Sequence, residues 1–272
     1  MSAAWLHGTT GVAFLDCSVS STLLPVGPGL GVAMAVLVAV AVVAARVGRL
    51  GHSRAAFTAS VRAVLQLTVV ALILAAVVDS WPLTAAFVAV MYVAASATAG
   101  RRMTRTRQAA WAAVPVVAST MPVLVALLLT GVLPAKALAV IPVTGILIGG
   151  AMTATALAGR RALDDLWLRR GEVDAALSLG LLPRDALLEI SLPAASSALI
   201  PVTDQTRTVG LVTLPGAFVG MLLGGASPVQ AGAVQLFVLV ALLAVETVAV
   251  VITTELVARQ LISRPNPTLT PR

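Results

Sequence analysis

A chain of 272 residues with 59% apolar and only 11% charged residues cannot coat a water-facing surface, since a soluble domain carries about 25% charged residues. Its solvent is largely lipid, and the sequence predicts an all-α integral membrane protein of the cell membrane. The net charge of +7 sits in short clusters between apolar runs, as in membrane loops and not as in a nucleic-acid interface, so a nucleic-acid partner is excluded.

Residues 1–25 lack the basic region and clean apolar core of a signal peptide, and Asp16 before Cys17 spoils a lipoprotein cleavage box. They are expected to be an external N-terminal tail. With one cysteine, and with His7 and His52 far apart, neither a disulfide framework nor a cysteine-based zinc site is available.

A helix needs about 20 apolar residues to cross a hydrocarbon core roughly 30 Å thick. Seven runs qualify within a membrane domain of residues 26–262. They are 30–45, starting as early as Val26, then 57–78, 82–99, 109–130, 138–158, 194–223 and 230–258. The sixth is long and polar, with Asp204, Gln205 and Arg207 and the breakers Pro201 and Pro215. It is expected to kink, or to begin as a helix at the membrane surface. Residues 263–272, with Pro265, Pro267 and Pro271, are expected to form a disordered cytoplasmic tail.

Arginine placement orients the seven spans. Arg46, Arg49 and Arg54 follow the first run, and Arg101, Arg102, Arg105 and Arg107 the third. Arg160, Arg161, Arg169, Arg170 and Arg184 follow the fifth, and Arg259, Arg264 and Arg272 the seventh. The opposite loops hold only Lys136. The positive-inside rule then predicts N-terminus outside and C-terminus inside.

Polar residues inside spans are costly and normally face the protein interior. Arg62 and Gln66 lie i and i+4 on the second span, Asp204 and Arg207 i and i+3 on the sixth, and Gln235 and Glu246 on the seventh. These six are the candidates for a translocation path. Gly145 and Gly149 make a GxxxG pair, and Gly216, Gly220 and Gly224 repeat the spacing. They are expected to serve helix packing, within one subunit or between two. No His, Cys or carboxylate cluster forms a catalytic set, so an enzyme is not expected. No metal ligands can be assigned; Met152 and Met221 are the soft donors within the spans.

The longest internal loop, 159–194, holds Asp164, Asp165, Glu172, Asp174, Asp185 and Glu189 among several leucines. Within it Asp174-Ala175-Ala176 is followed at fixed spacing by Gly180, Ile190 and Leu192-Pro193. This pattern resembles the EAA loop of ABC transporter permeases, with Asp174 for the usual Glu. The resemblance implies that a short helix from about Glu172 docks an ATPase subunit, that Gly180 allows a sharp turn, and that a second helix returns to the bilayer near Pro193.

A broader resemblance covers about 61–261. Its pieces are SVRAVLQL (60–67), VIPVTGILIGGAM (140–152), SLGLLPRDA (178–186) and ALIPVTDQTRTVGLVTLPG (198–216). They are similar to the FetB family of ABC permeases, which includes a bacterial iron exporter and plant aluminium-tolerance permeases. The resemblance implies a permease of six or seven spans that pairs with a separate ATP-binding subunit, two copies of each. The chain departs from that family's pattern at Gly150, where Asn is expected, at Ser227, where Asp is expected, and at Glu246, where a small residue is expected.

The only lysine, Lys136, follows Ala135, so no P-loop exists and no nucleotide cofactor is expected here; ATP and magnesium would sit on the partner. The reading is therefore an ABC permease subunit that moves a metal ion, as in iron export, or another small solute. The alternative is a secondary transporter coupled to protons through Glu246. The EAA-type loop implies import and the FetB resemblance export, so direction stays open.

Overall fold

The computed structural model describes residues 27–49, 51, 53–77 and 80–264. The expected external tail 1–25, both histidines, Cys17 and the C-terminal residues after Arg264 lie outside the described residues. The chain divides at Leu72 and Ile73 into two compact units.

The first unit holds α1 (Pro28–Val47) and most of α2 (Ser53–Val77). Pro28 opens α1 at a position where its missing N–H costs nothing. Neither helix has an acidic residue in its first turn, and α1 is apolar on all faces, as a helix surrounded by lipid or protein must be.

The second unit holds α3 (Trp81–Met103), a 3₁₀ turn (Arg107–Ala112), α4 (Ala113–Leu129), α5 (Ala137–Leu168) and α6 (Arg170–Ser178). It continues with α7 (Pro183–Ser196), a 3₁₀ turn (Ser197–Leu199), α8 (Ile200–Thr208), α9 (Gly216–Leu223) and α10 (Pro228–Ala258). α5 and α10 pack along each other at the centre. α3, α4 and α7 also touch α5, and α4, α7, α8 and α9 touch α10. Ala99, Ala112, Ala151, Ala158, Ala162 and Ala249 are fully buried in this core. Lipid tails are as apolar as any side chain, so association rests on close packing, and small residues permit it. The closest approaches are at glycine. A side chain on Gly100 would overlap the Ala109 carbonyl, and one on Gly159 would overlap Met103. A hydrogen bond of 2.8 Å joins Tyr92 Oη and Thr120 Oγ1, tying α3 to α4.

Among the described residues seven helical stretches are long and apolar enough to cross a membrane, and the protein is an all-α, multi-pass membrane protein. The sixth span differs from the expected 194–223. The span-length stretch is Pro183–Thr208, and Gly216–Leu223 is a separate short helix. Two local signals cause the shift. Gly210 takes φ +82°, and Pro215 caps α9 in extended backbone, so residues 209–215 leave the helix. Upstream, Ala186, Ile190, Ser191 and Ala195 are the buried stripe of α7, which lets the helix begin amid charges. The expected loop 159–194 is likewise helical almost throughout. α5 runs to Leu168, and its 32 residues reach about 48 Å, well beyond the roughly 30 Å core. Its last turns therefore stand outside the hydrocarbon.

Candidate functional site

The extension of α5 ends in an elbow. Arg169 breaks the helix with non-helical φ and ψ, and α6 starts at once. Glu172 sits in the first turn of α6, where a negative charge suits the helix N-terminus. No residue of α6 is buried. Asp174 and Ala175 are exposed and Ala176 is half-buried. The helix ends at Leu179 with Gly180 just beyond it. The Gly180 N–H donates to the Leu177 carbonyl and the Leu181 N–H to the Ala176 carbonyl, which is the Schellman arrangement. Gly180 adopts φ +91°, a conformation that suits glycine. No atom lies within 4 Å of where its Cβ would be, so backbone conformation, and not obstruction by a side chain, explains the residue. Leu179 and Leu182 flank the turn and are 82% and 68% exposed.

Three arginines fasten this elbow and the helices at its base. Arg169 donates from Nη2 to Glu172 Oε2 at 2.5 Å, from Nη1 to Asp165 Oδ2 at 3.3 Å, and from Nη1 to the Ile190 carbonyl at 3.3 Å. The end of α5, the start of α6 and the middle of α7 therefore meet at one guanidinium. The same hydrogen bonds hold the Glu172 carboxyl below its ordinary pKa and raise that of Arg169. Arg184, at the start of α7, forms a two-point pair with Glu255 of α10, Nε to Oε1 at 2.8 Å and Nη2 to Oε2 at 2.7 Å. Arg161 of α5 donates to Ser197 Oγ at 2.6 Å. Ile190 is buried, whereas Leu192 and Pro193 are exposed. The DAA–Gly pattern thus occupies one exposed hairpin whose base is fastened to both central helices. Arg169, Arg184 and Glu255 were not singled out from sequence. Arg169 and Arg184 were read there only as charge in an internal loop, and Glu255 lies near the end of the seventh run.

Glu246 lies on the buried face of α10 and is 9% exposed. Among the described residues its carboxylate has no hydrogen-bond or ion-pair partner; it faces Gly150 of α5. A Cβ on Gly150 would fall 2.8 Å from Glu246 Oε1 and would also strike the tip of Leu242. Gln235 is buried on the same helix, and its Oε1 has no partner among the described residues, as is true of the hydroxyls of Thr144 and Thr155 on α5. Asp204 and Arg207 are exposed on α8, and no ion pair joins them within 4 Å. Arg62 and Gln66 lie one turn apart on α2, in the first unit. Within the second unit the structure therefore places Gln235 and Glu246 on one helix, and Asp204 and Arg207 on the exposed side of α8.

Of the GxxxG glycines, Gly145 approaches Met91 of α3. Gly149, Gly216 and Gly220 face open space in this chain, and Gly224 meets only carbonyls of its own helix. The tight intrachain packing sites are instead Gly100, Gly150 and Gly159. No group of three or more His, Cys, Asp or Glu residues able to share a metal ion occurs among the described residues.

The pattern that defines the Uncharacterised protein family (UPF0014) matches residues 30–262. The chain is 36% identical over 230 residues to UPF0014 membrane protein STAR2 of Oryza sativa subsp. japonica, covering 83% of this chain and 80% of the relative. It is 36% identical over 167 residues to Protein ALUMINUM SENSITIVE 3 of Arabidopsis thaliana, covering 61% of each. It is 33% identical over 141 residues to the Probable iron export permease protein FetB of Escherichia coli (strain K12), covering 50% of this chain and 53% of that protein. No solved structure matches the chain.

Proposed function

This chain belongs to the UPF0014 family of membrane proteins, and from that membership we propose that it is the membrane-spanning subunit of an ATP-driven transporter. The carrying observation is the exposed α6 hairpin. A short helix bearing Asp174, Ala175 and Ala176 closes at Gly180, and its base is clamped to α5, α7 and α10. A docking element needs an exposed face and a stiff connection to the moving spans, and this hairpin has both. The exposed Leu179 and Leu182 supply apolar surface for a soluble partner's groove. The partner is an ABC ATP-binding subunit that carries ATP and magnesium, two copies serving a permease dimer. The arginine distribution supports an inside location for the hairpin and the C-terminus.

The relative named as a probable iron export permease supports a metal ion as cargo. Transport would proceed as nucleotide binding draws the two ATPase subunits together. The pull on α6 would pass through Arg169 to α7 and through Arg184 to α10, shifting α10 against α5. Gln235 and Glu246 lie along α10, and a relative movement of the two central helices would change what those polar groups face. The test is transport in inverted membrane vesicles containing this chain and an ABC ATP-binding subunit from the same cell, with a panel of metal ions. ATP-dependent accumulation that requires both chains supports the reading. Accumulation driven by a proton gradient in this chain alone overturns it, and would favour the second reading, coupling through the buried, unpartnered carboxylate of Glu246.

A further inference from the structure

Two cavities meet at Arg101. The first, of about 540 Å3, is lined by Arg101, Arg102, Arg105 and Arg264 with Trp167 at its wall. The second, of about 480 Å3, is an apolar groove between α3 and α4. Tyr92, Val93 and Ala97 line one side and Ala113 and Val117 the other, and Arg101 also borders it. From Arg101 to Tyr92 the groove follows about 13 Å of helix. That is close to half the roughly 30 Å hydrocarbon core.

The basic cavity is held in shape. Gln108 Oε1 accepts from the Ser263 N–H and the Ser263 hydroxyl, both at 2.8 Å. Thr104 Oγ1 donates to the Ser263 carbonyl at 3.2 Å. These bonds lock the end of the helical core onto the α3–α4 connection. Arg264 is then fixed by Asp164 at 2.5 Å. Arg101, Arg102 and Arg105 have no carboxylate within 4 Å among the described residues. Arg101, Arg102 and Arg105 are exposed and give this cavity a positive field with no carboxylate of its own, and guanidinium matches phosphate geometry.

We propose that this composite site binds one anionic phospholipid, its phosphate held by Arg101, Arg102 and Arg105 and an acyl chain laid in the groove between α3 and α4. The joined apolar groove identifies the ligand as a lipid and not a free phosphate, because a soluble anion has no use for it. Trp167 at the rim agrees, since its amphipathic ring suits the headgroup level. Basic cavities between spans on the cytoplasmic side are a known form of headgroup recognition. The site does not involve Glu246, touches the α6 elbow only where Arg170 covers the Trp167 ring at 5.5 Å, and does not depend on what the protein transports.

The test is native mass spectrometry of the full-length chain, delipidated in mild detergent and titrated with phosphatidylglycerol, phosphatidylcholine or inorganic phosphate. One phosphatidylglycerol per chain is expected, retained at least about 10-fold more strongly than phosphatidylcholine. Arg101→Gln with Arg105→Gln should weaken its retention by about 30-fold, at roughly 1 kcal/mol per arginine. Arg101→Lys with Arg105→Lys should retain most of it. Ala97→Phe, which fills an exposed part of the groove with every arginine intact, should also release the lipid. Inorganic phosphate should not compete at equal concentration. The proposal is overturned if phosphatidylcholine is held equally well, if phosphate alone displaces the lipid, or if the glutamine pair leaves retention unchanged. It is also overturned if Ala97→Phe alters only the oligomeric state, which would assign the groove to a protein contact.

Discussion

Gly150 on α5 faces Glu246 on α10, and a methyl group on Gly150 would sit 2.8 Å from Glu246 Oε1. The missing side chain on one helix is what accommodates the carboxylate on the other. These are two of the positions at which the sequence is expected to depart from the FetB pattern. The structure brings the two together, the small residue on α5 against the large one on α10.

That contact predicts non-additive stability. The atoms crowding Gly150 are the ends of the flexible side chains of Leu242 and Glu246, so Gly150→Ala should cost under about 1 kcal/mol. Gly150→Asn should cost about 1–3 kcal/mol, as overpacking does. Adding Glu246→Ala to Gly150→Asn should recover most of the loss in thermal unfolding in detergent. Strict additivity would show that the two residues do not share the space.

Gly180 predicts a local effect with a functional readout. Its φ of +91° is unfavourable for any residue with a Cβ, and Gly180→Ala should cost the hairpin about 1–2 kcal/mol. Hydrogen exchange over residues 170–182 should speed up while the membrane helices stay protected. Since no neighbour lies near the missing Cβ, Gly180→Asn should be milder than Gly180→Val. Equal effects of Asn and Val would point to sterics and against backbone conformation.

The Arg169–Glu172 pair gives the elbow a pH dependence. Glu172 has its pKa lowered in the folded chain by hydrogen bonds from Arg169. It therefore contributes stability that is present above its unfolded value and lost as pH falls through its folded value. The elbow should hold unchanged from neutral pH down to the ordinary glutamate range of about 4, and loosen below it. The same residue in an Arg169→Gln protein should show no such acid step in hydrogen exchange at 170–178. An identical acid profile in that variant would separate the step from this pair.

Orientation is open to labelling. In a Cys17→Ser background, Leu179→Cys should be shielded from an impermeant thiol reagent applied to intact cells, and Ala135→Cys should react. Labelling of Leu179→Cys from outside would reverse the assigned topology.

Much of the architecture is legible in the sequence, because lipid imposes simple rules. Apolar runs of span length mark the seven span-length helices found among the described residues. The same reasoning fails where charge and helix coexist. Arg160, Arg161, Asp164 and Asp165 look like loop residues, yet they extend α5, and Arg160 and Arg169 pair along its end with Asp164 and Asp165. The start of the sixth span was hidden in the same way, because Arg184 and Glu189 mask the buried stripe of α7. The Asp174–Gly180 pattern is readable because a turn needing positive φ leaves a glycine at a fixed position. The braces Arg169–Ile190 and Arg184–Glu255, and the Gly150–Glu246 contact, are not, because each joins helices that are distant in the chain.

The proposed function depends most directly on α6 being the contact with an ATP-binding subunit. A photo-reactive amino acid at Ala175, in membranes containing this chain and the ABC ATP-binding subunit, reads that contact. If α6 docks the ATPase, a cross-linked product of the two chains forms and changes in yield when nucleotide is added, and none forms from the same group at Val90 on the exposed face of α3. A cross-link to lipid alone at Ala175, with or without nucleotide, in membranes where the two subunits co-purify, would contradict it.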